Sequence, residues 1–221
     1  WQPHLLPNDY NFTSYLDKMT KWNGYKISWD FMQTFDPADR RLLTIAYEYT
    51  SKDGVVHNEK NDRPDPSAQL YLGAVPLKYE FDPDCTGEDS QIDWIIYRYA
   101  DVLTLTAEDI VRNKNAVTQE AVNLLNEVRT RSLPGKGYSL QDLNSVDKFL
   151  KAVLDERGWE LYFEGNRRQD LIRYGLFVEA IKKKAQSMGK QTLVDEDRYR
   201  FPIPQDIIDE GKGIIKQNPG Y

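Results

Sequence analysis

LKAVLDERGWELYFEGNRRQDLIRYG, residues 150–175, is the stretch on which the reading of the whole chain turns. Leu150, Val153, Leu154, Leu161 and Phe163 recur at roughly helical spacing and predict a long helix with one apolar face. Gly165 suits a left-handed C-terminal cap. Asn166, followed three residues later by Gln169, predicts the start of a second helix carrying Leu171 and Ile172. The charges do not form a simple solvent face, because Glu156, Arg157, Glu160, Glu164, Arg167, Arg168 and Asp170 interleave with Trp159, Tyr162 and Phe163. Aromatics at that density predict burial, and buried charges must be paired. Glu156, Arg157, Glu160, Glu164, Arg168 and Asp170 are therefore expected to form a structural ion network. The competing reading is catalytic: glycosidases use two carboxylates, and Glu156, Glu160 and Glu164 fall on one helical face. It is the weaker one. Arginine lowers a neighbouring carboxylate's pKa whereas a general acid needs it raised, and a single face leaves no room for an opposed acid and nucleophile.

Working outward toward the amino terminus, Ile92 to Arg112 predicts a helix with Ile95, Tyr99, Val102, Leu103, Thr106 and Ile110 as its stripe. Thr118 to Arg131 predicts a second, with Ala121, Leu124, Leu125 and Val128 inward. The short connection between them makes an antiparallel helical hairpin, the unit of tetratricopeptide-type repeats, here without a visible 34-residue period. Before Ile92 the chain is rich in Asp, Asn, Pro and Gly. It carries possible strands at 44–50, ending on the turn Lys52-Asp53-Gly54, and at 68–72 and 75–81, with a short helix near Tyr15 to Lys21. Asp82, Asp84, Glu88 and Asp89 lack the rest of a calcium-binding loop and read as a solvated loop. Toward the carboxyl terminus, Leu176 to Met188 predicts an amphipathic helix whose Lys182, Lys183 and Lys184 face water. Pro202 and Pro204 force extended backbone, and Asp206 to Glu210 is expected to form one helical turn.

The chain has 221 residues, enough for one large domain or two small ones, burying roughly 70% of the unfolded surface. Lys+Arg 29 against Asp+Glu 35 gives a net charge of −6, which argues against a general nucleic-acid binder. Two histidines, His4 and His57, and the single Cys85 exclude a zinc cluster or an internal disulfide. No apolar run approaches the ~20 residues of a membrane helix. No signal peptide is visible, and the sequence starts at Trp1 without a methionine, so the chain is expected to be a processed or truncated piece. Trp 5 and Tyr 14 make it rich in aromatics, which suits either core packing or stacking on sugar rings.

The motifs of residues 150–175 resemble the signature of the SusD/RagB family, roughly E-R-x-x-E-L-x-F-E-G-x-R-x-x-D-L-x-R-x-G. It is carried by Glu156, Arg157, Glu160, Leu161, Phe163, Glu164, Gly165, Arg168, Asp170, Leu171, Arg173 and Gly175, with Asn166 where the family has a basic residue and Arg167 in the usual arginine place. The run from Tyr97 to Glu108 is similar to the family's R-Y-A-E-V-L-L-x-x-A-E helix, Asp101 replacing Glu. Asn126 to Arg131 resembles its N-x-V-R-x-R ending. Lys78-Tyr79, Phe201-Pro202-Ile203-Pro204 and the terminal Gln217-Asn218-Pro219-Gly220-Tyr221 have counterparts too, though Gly211-Lys212 stands where an Asn-Pro step is usual.

The resemblance implies a mainly α fold, with tetratricopeptide-like helical hairpins of the α/α superhelix type and a loop-rich side carrying a few short strands. Residues 1–91 are expected to be the loop-rich candidate ligand side and 92–221 the helical region, together one continuous domain truncated at its N-terminus. It also implies a non-catalytic glycan- or nutrient-binding protein without cofactor or metal, surface-exposed at the bacterial outer membrane. There it would be lipid-anchored through an N-terminal cysteine absent from this chain, and would hand its ligand to a TonB-dependent SusC-type transporter. The alternative is a helical-repeat module that binds protein and no sugar. No signature motif names ligand contacts. Aromatics on loops are better ligand candidates than those on a helix stripe, which selects Trp22, Tyr25 and Trp29, with Trp1 and His4 behind them.

Overall fold

A computed structural model describes residues 4–11, 18–192 and 194–221; Trp1 and Tyr15, and most of the helix expected near Tyr15, lie outside them. The described residues are mainly helical, and they group into two compact units, one ending at Glu164 and one beginning at Gly165. The change from loop-rich to helical chain near residue 91 thus falls inside the first unit.

The loop-rich side of the first unit opens with one turn of helix α1 (Trp29–Met32) and a 3₁₀ turn, Arg40–Thr44. Two-residue β1 (Ile45–Ala46) and three-residue β2 (Glu48–Thr50) follow, where a single strand was expected over 44–50. Tyr47 interrupts them, so that β1 and β2 join different partners. β2 pairs antiparallel with β3 (Val56–Asn58), Tyr49 opposite His57. β1 pairs with β4 (Val75–Pro76), Ala46 opposite Val75. The expected strand at 68–72 is a series of turns, Leu70 N being taken by the Asp62 carboxylate (2.8 Å) instead of a ladder, and the one at 75–81 contracts to β4. Asn58 caps α2 (Glu59–Asp62), its side chain accepting from Asn61 N. Asp82, expected in a solvated loop, is buried and organises that loop by accepting from Asp84 N and Gln91 N. The core on this side is Leu5, Leu6, Trp29, Phe35, Leu70, Ala74, Val75 and Tyr162.

Three helices make the other side: α3 (Tyr99–Lys114), α4 (Gln119–Ser132) and α5 (Val146–Glu160), each packed on the other two. Thr118 and Ser145 cap α4 and α5 with their hydroxyls, satisfying backbone donors that the first turn leaves open. α3 begins at Tyr99, not Ile92, and its buried face is Ala100, Leu103, Thr104, Ala107, Glu108 and Val111. The expected stripe is displaced, with Ile95, Tyr99 and Val102 exposed. The small residues let α5 approach closely, and Arg157 of α5 reaches Asp101 Oδ1 (2.6 Å) and Thr104 Oγ1 (2.8 Å), so α3 turns its polar residues inward.

α5 also ends earlier than its sequence suggests, at Glu160. Phe163 and Glu164 lie in the turn beyond it, Phe163 with φ +59°. Only Glu156 and Glu160 of the three expected carboxylates therefore share a helical face.

In the second unit, α6 (Arg167–Arg173) follows Gly165, whose φ of +85° is the expected left-handed break. Asn166 does not cap α6 with its side chain. Arg168, expected in the ion network, instead donates to the carbonyls of Arg198 and Tyr199 and lies over the Phe201 ring. Asp170 pairs with Arg173 at 2.8 Å. α7 (Phe177–Ser187) exposes Lys182, Lys183 and Lys184. After the 3₁₀ turn Glu196–Tyr199 and short α8 (Gln205–Glu210), the terminal motif closes on the proline segment. Gln217 Nε2 donates to Ile203 O (2.9 Å) while Gln217 Oε1 accepts from Ile203 N (2.8 Å), and Asn218 Nδ2 donates to Phe201 O. An amide side chain thereby does what a neighbouring strand would do for backbone that proline keeps out of a helix.

Candidate ligand-binding site

The expected site residues divide. His4, Trp22 and Tyr25 come together, because the turn through Asn23 and Gly24 is bound back onto residues 4–6. Gly24 N and Tyr25 N donate to His4 O at 2.7 and 2.9 Å, and Asn23 N donates to Leu6 O at 2.9 Å. Asn23, in the left-handed region, also donates its side-chain amide to Gln69 O and Oε1. The His4 ring centroid then lies 5.8 Å from Trp22 and 5.9 Å from Tyr25. Trp22 and Tyr25 stay 55% and 52% exposed. Trp29 does not join them. It is buried, its indole N–H donating to Leu70 O at 2.9 Å.

The row continues into residues that sequence reasoning missed as site candidates. Tyr25 lies 5.9 Å from Phe163, Phe163 lies 6.1 Å from Trp94, and Trp94 stacks on Tyr79 at 5.1 Å. These spacings are within the range of favourable ring contacts. Phe163 had been read as part of a helix stripe. The signal that could have separated it is its place two residues before Gly165, where a helix terminates.

The ion network holds the far half of this row. Glu164 receives Arg98 Nε at 2.7 Å and is paired with Lys78. Glu160 receives Arg98 Nη1 at 2.5 Å and Arg41 Nη1 at 3.2 Å, and is paired with Arg131. Glu156, fully buried, receives Arg41 Nη1 at 2.7 Å and Arg129 Nη1 at 3.0 Å, while Arg41 Nη2 also binds Asp39 at 2.6 Å. Arg98 closes the segment that carries Trp94, and Glu164 follows Phe163 directly, so their pairing fixes the two rings against each other. Arg157 pairs with Asp101 at 2.6 Å. Burial alone would raise the Glu160 carboxyl, but Arg98 and Arg131 outweigh it and hold it below its ordinary value. An ionised carboxylate surrounded by guanidinium groups can orient and neutralise; it cannot donate a proton as a general acid.

Two lysines in these surroundings titrate low. Burial lowers Lys78 to about 8 against the opposing pull of Glu164, and burial lowers Lys26, beside Asn23, to about 8 against the pull of Asp9. An exposed lysine titrates near ~10.4. Between about pH 8 and 10 the unfolded chain therefore binds more protons than the folded one, and stability rises with pH. Tyr162, pushed up to about 12 by burial, works in the opposite sense above the ~10 of a free tyrosine. Urea midpoints are expected to climb from pH 8 to pH 10, by on the order of 1 kcal/mol per lysine, and Lys78→Met should remove part of the climb. A midpoint that falls over this interval contradicts the assignment.

Among the described residues no group of three or more His, Cys, Asp or Glu is placed to hold a metal, and no helix is long and apolar enough to cross a membrane. Residues 8–221 match the family model for the SusD family. The chain belongs to the SusD family. SusD-like protein P2 of Formosa agariphila is 28% identical over 209 residues, covering 90% of this chain and 41% of that protein. A SusD homolog from Bacteroides thetaiotaomicron, known from its crystal structure, is 28% identical with a TM-score of 0.65, covering 87% of this chain and 43% of that one. Surface glycan-binding protein A of the same organism, in complex with laminarihexaose, shares the fold with a TM-score of 0.69 at 19% identity, covering 98% of this chain and 45% of that one. This chain therefore spans less than half the length of each of these proteins. Its helical side has the tetratricopeptide-like character of the SusD architecture.

Proposed function

We propose that this protein is a non-catalytic glycan-binding protein of the bacterial cell surface, which captures an oligosaccharide or other nutrient and passes it to a TonB-dependent SusC-type transporter. The observation that carries this reading is the aromatic row Trp22–His4–Tyr25–Phe163–Trp94. Trp22 and Tyr25 stay half exposed although the turn between them is hydrogen-bonded back onto residues 4–6, so that each presents an apolar ring with little entropy left to lose. The C–H face of a pyranose fits such a surface. Support comes also from the name and ligand of the neighbour seen with laminarihexaose. Residues Trp22 and Tyr25, with His4 between them, are the proposed contacts; Trp29 contributes from beneath a different surface, and Trp1 lies outside the described residues. Anchoring at the outer membrane would use a cysteine outside this chain, since Cys85 is buried in the core. Exposed Tyr97, Tyr99 and Val102 at the start of α3 favour the protein-contact part of the reading, toward the transporter.

Each stacked ring is worth on the order of 1 kcal/mol. Trp22→Ala and Tyr25→Ala are each expected to weaken glycan binding by about 5- to 10-fold, with folding unimpaired because both side chains are half exposed. Retardation in native gels containing a panel of polysaccharides measures this. If Trp22→Ala and Tyr25→Ala both migrate as the parent does in every glycan that retards it, the site assignment is wrong.

A further inference from the structure

Trp29 leads to a second recess, of about 540 Å³, within the size range of small-molecule sites. Its floor is apolar: the buried rings of Trp29 and Phe35, with Leu42 beside them. At its edge stands Tyr47, 49% exposed, the residue that splits β1 from β2. On the rim are two locked carboxylate–amide pairs. Asn58 Nδ2 donates to Glu48 Oε2 at 3.0 Å, and Gln33 Nε2 donates to Glu59 Oε1 at 2.8 Å. Neither pair is mobile: Asn58 Oδ1 is fixed by Asn61 N at 2.9 Å, and Glu59 by Arg63 at 2.6 Å.

Each pair leaves carboxylate lone pairs and an amide N–H unused. A hydroxyl can donate to the first, and its neighbour can accept from the second, so adjacent hydroxyls match a planar carboxylate–amide edge. An anion would meet Glu48 and Glu59, against one cation of the lining, the exposed Lys60. A wholly apolar guest would strip both carboxylates of water without replacing it, which is costly. The guest that satisfies floor and rim together has one face of C–H groups and an edge of neutral hydroxyls. We propose that this recess is a second saccharide site, taking a neutral sugar residue, built from residues none of which belongs to the aromatic row. The proposal shares with the proposed function the premise that the ligand is a glycan, but not its residues.

The test is native-gel retardation of the whole chain in soluble starch, laminarin, xyloglucan and galactomannan, with alginate as the anionic comparison. Tyr47→Ala removes the exposed ring. Asn58→Asp keeps the oxygen that caps α2 while replacing the N–H donor to Glu48 with a second negative charge. Each is expected to weaken retardation by a neutral polysaccharide about 5-fold or more, and to abolish what remains when Trp22→Ala and Tyr25→Ala are already present. If both variants migrate as the parent while the Trp22→Ala, Tyr25→Ala protein is no longer retarded, the recess is not a saccharide site and the row stands. If the reverse pattern is seen, the recess stands and the row falls. Retardation of the parent by alginate alone, or by none of the polysaccharides, overturns this proposal.

Discussion

Glu160→Ala is expected to lower the unfolding free energy by about 3–5 kcal/mol, the scale on which breaking a buried ion pair from one side acts. The Glu160 side chain is only 2% exposed and receives Arg41, Arg98 and Arg131. Removing it leaves Arg98 with Glu164 and Arg41 with Asp39 and Glu156, four carboxylates having been reduced to three around the same cations. The loss exceeds any single hydrogen bond, because guanidinium groups brought into the interior keep their desolvation cost when a partner goes. Against a total of ~5–15 kcal/mol for a folded domain, it is enough to populate the unfolded chain. Arg131→Ala is the control. It breaks the same network at its rim, with a side chain 58% exposed, and should cost less than about 1 kcal/mol. Urea unfolding followed by tryptophan fluorescence, with an unchanged denaturant slope, measures both. Equal, small losses for the two variants would mean that water reaches Glu160 and that the network does not hold the turn carrying Phe163.

That network was legible in the sequence only from one side. Charges interleaved with Trp159, Tyr162 and Phe163 announce buried carboxylates, but nothing local names their partners. Arg41 meets Glu156 across 115 residues, and Arg98 meets Glu160 across 62. The face of α3 was misread for a related reason. Counting apolar residues selects Tyr99 and Val102, whereas the helix buries small and polar ones because Arg157 offers Asp101 and Thr104 a partner there. The hairpin and the left-handed Gly165 depend on residues close in sequence, and those were readable, whereas the cap expected of Asn166 is not made. The aromatic row mixes the two cases. Trp22 and Tyr25 were selected as loop aromatics, and they share a local turn that is bound back onto His4. Trp94 and Phe163 join through tertiary geometry that the sequence does not encode at short range. Trp29 was selected together with Trp22, yet it finds Leu70 O for its N–H and goes inside.

The contact that brings Trp29 and Leu70 together depends in turn on one glycine. Ile27 and Ala74 form an isolated antiparallel bridge, Ile27 N donating to Ala74 O at 2.8 Å and Ala74 N to Ile27 O at 2.9 Å. Gly73 stands beside it with φ +146°. A Cβ there would lie 1.9 Å from Ile27 O and 2.6 Å from Ile27 C, backbone atoms that cannot swing aside as a side-chain end can. Gly73→Ala therefore carries two penalties. The backbone angle is strained for any L side chain, by about 1–3 kcal/mol. Relief of the clash must also part the bridge, loosening Leu70, Ala74 and Val75, all fully buried. A combined loss of about 4 kcal/mol is expected, among the larger effects of a single substitution. Gly54→Ala separates the two penalties: its φ of +80° is also left-handed, but nothing lies within 4 Å of its added Cβ, so only backbone strain of about 1 kcal/mol remains. Thermal or urea unfolding of both variants decides the matter. Losses of equal size would show that φ alone governs Gly73 and that the bridge can open without cost. A loss several times larger at Gly73 would show that close backbone approach holds the floor of the second recess, because Trp29 is placed there by the same bridge.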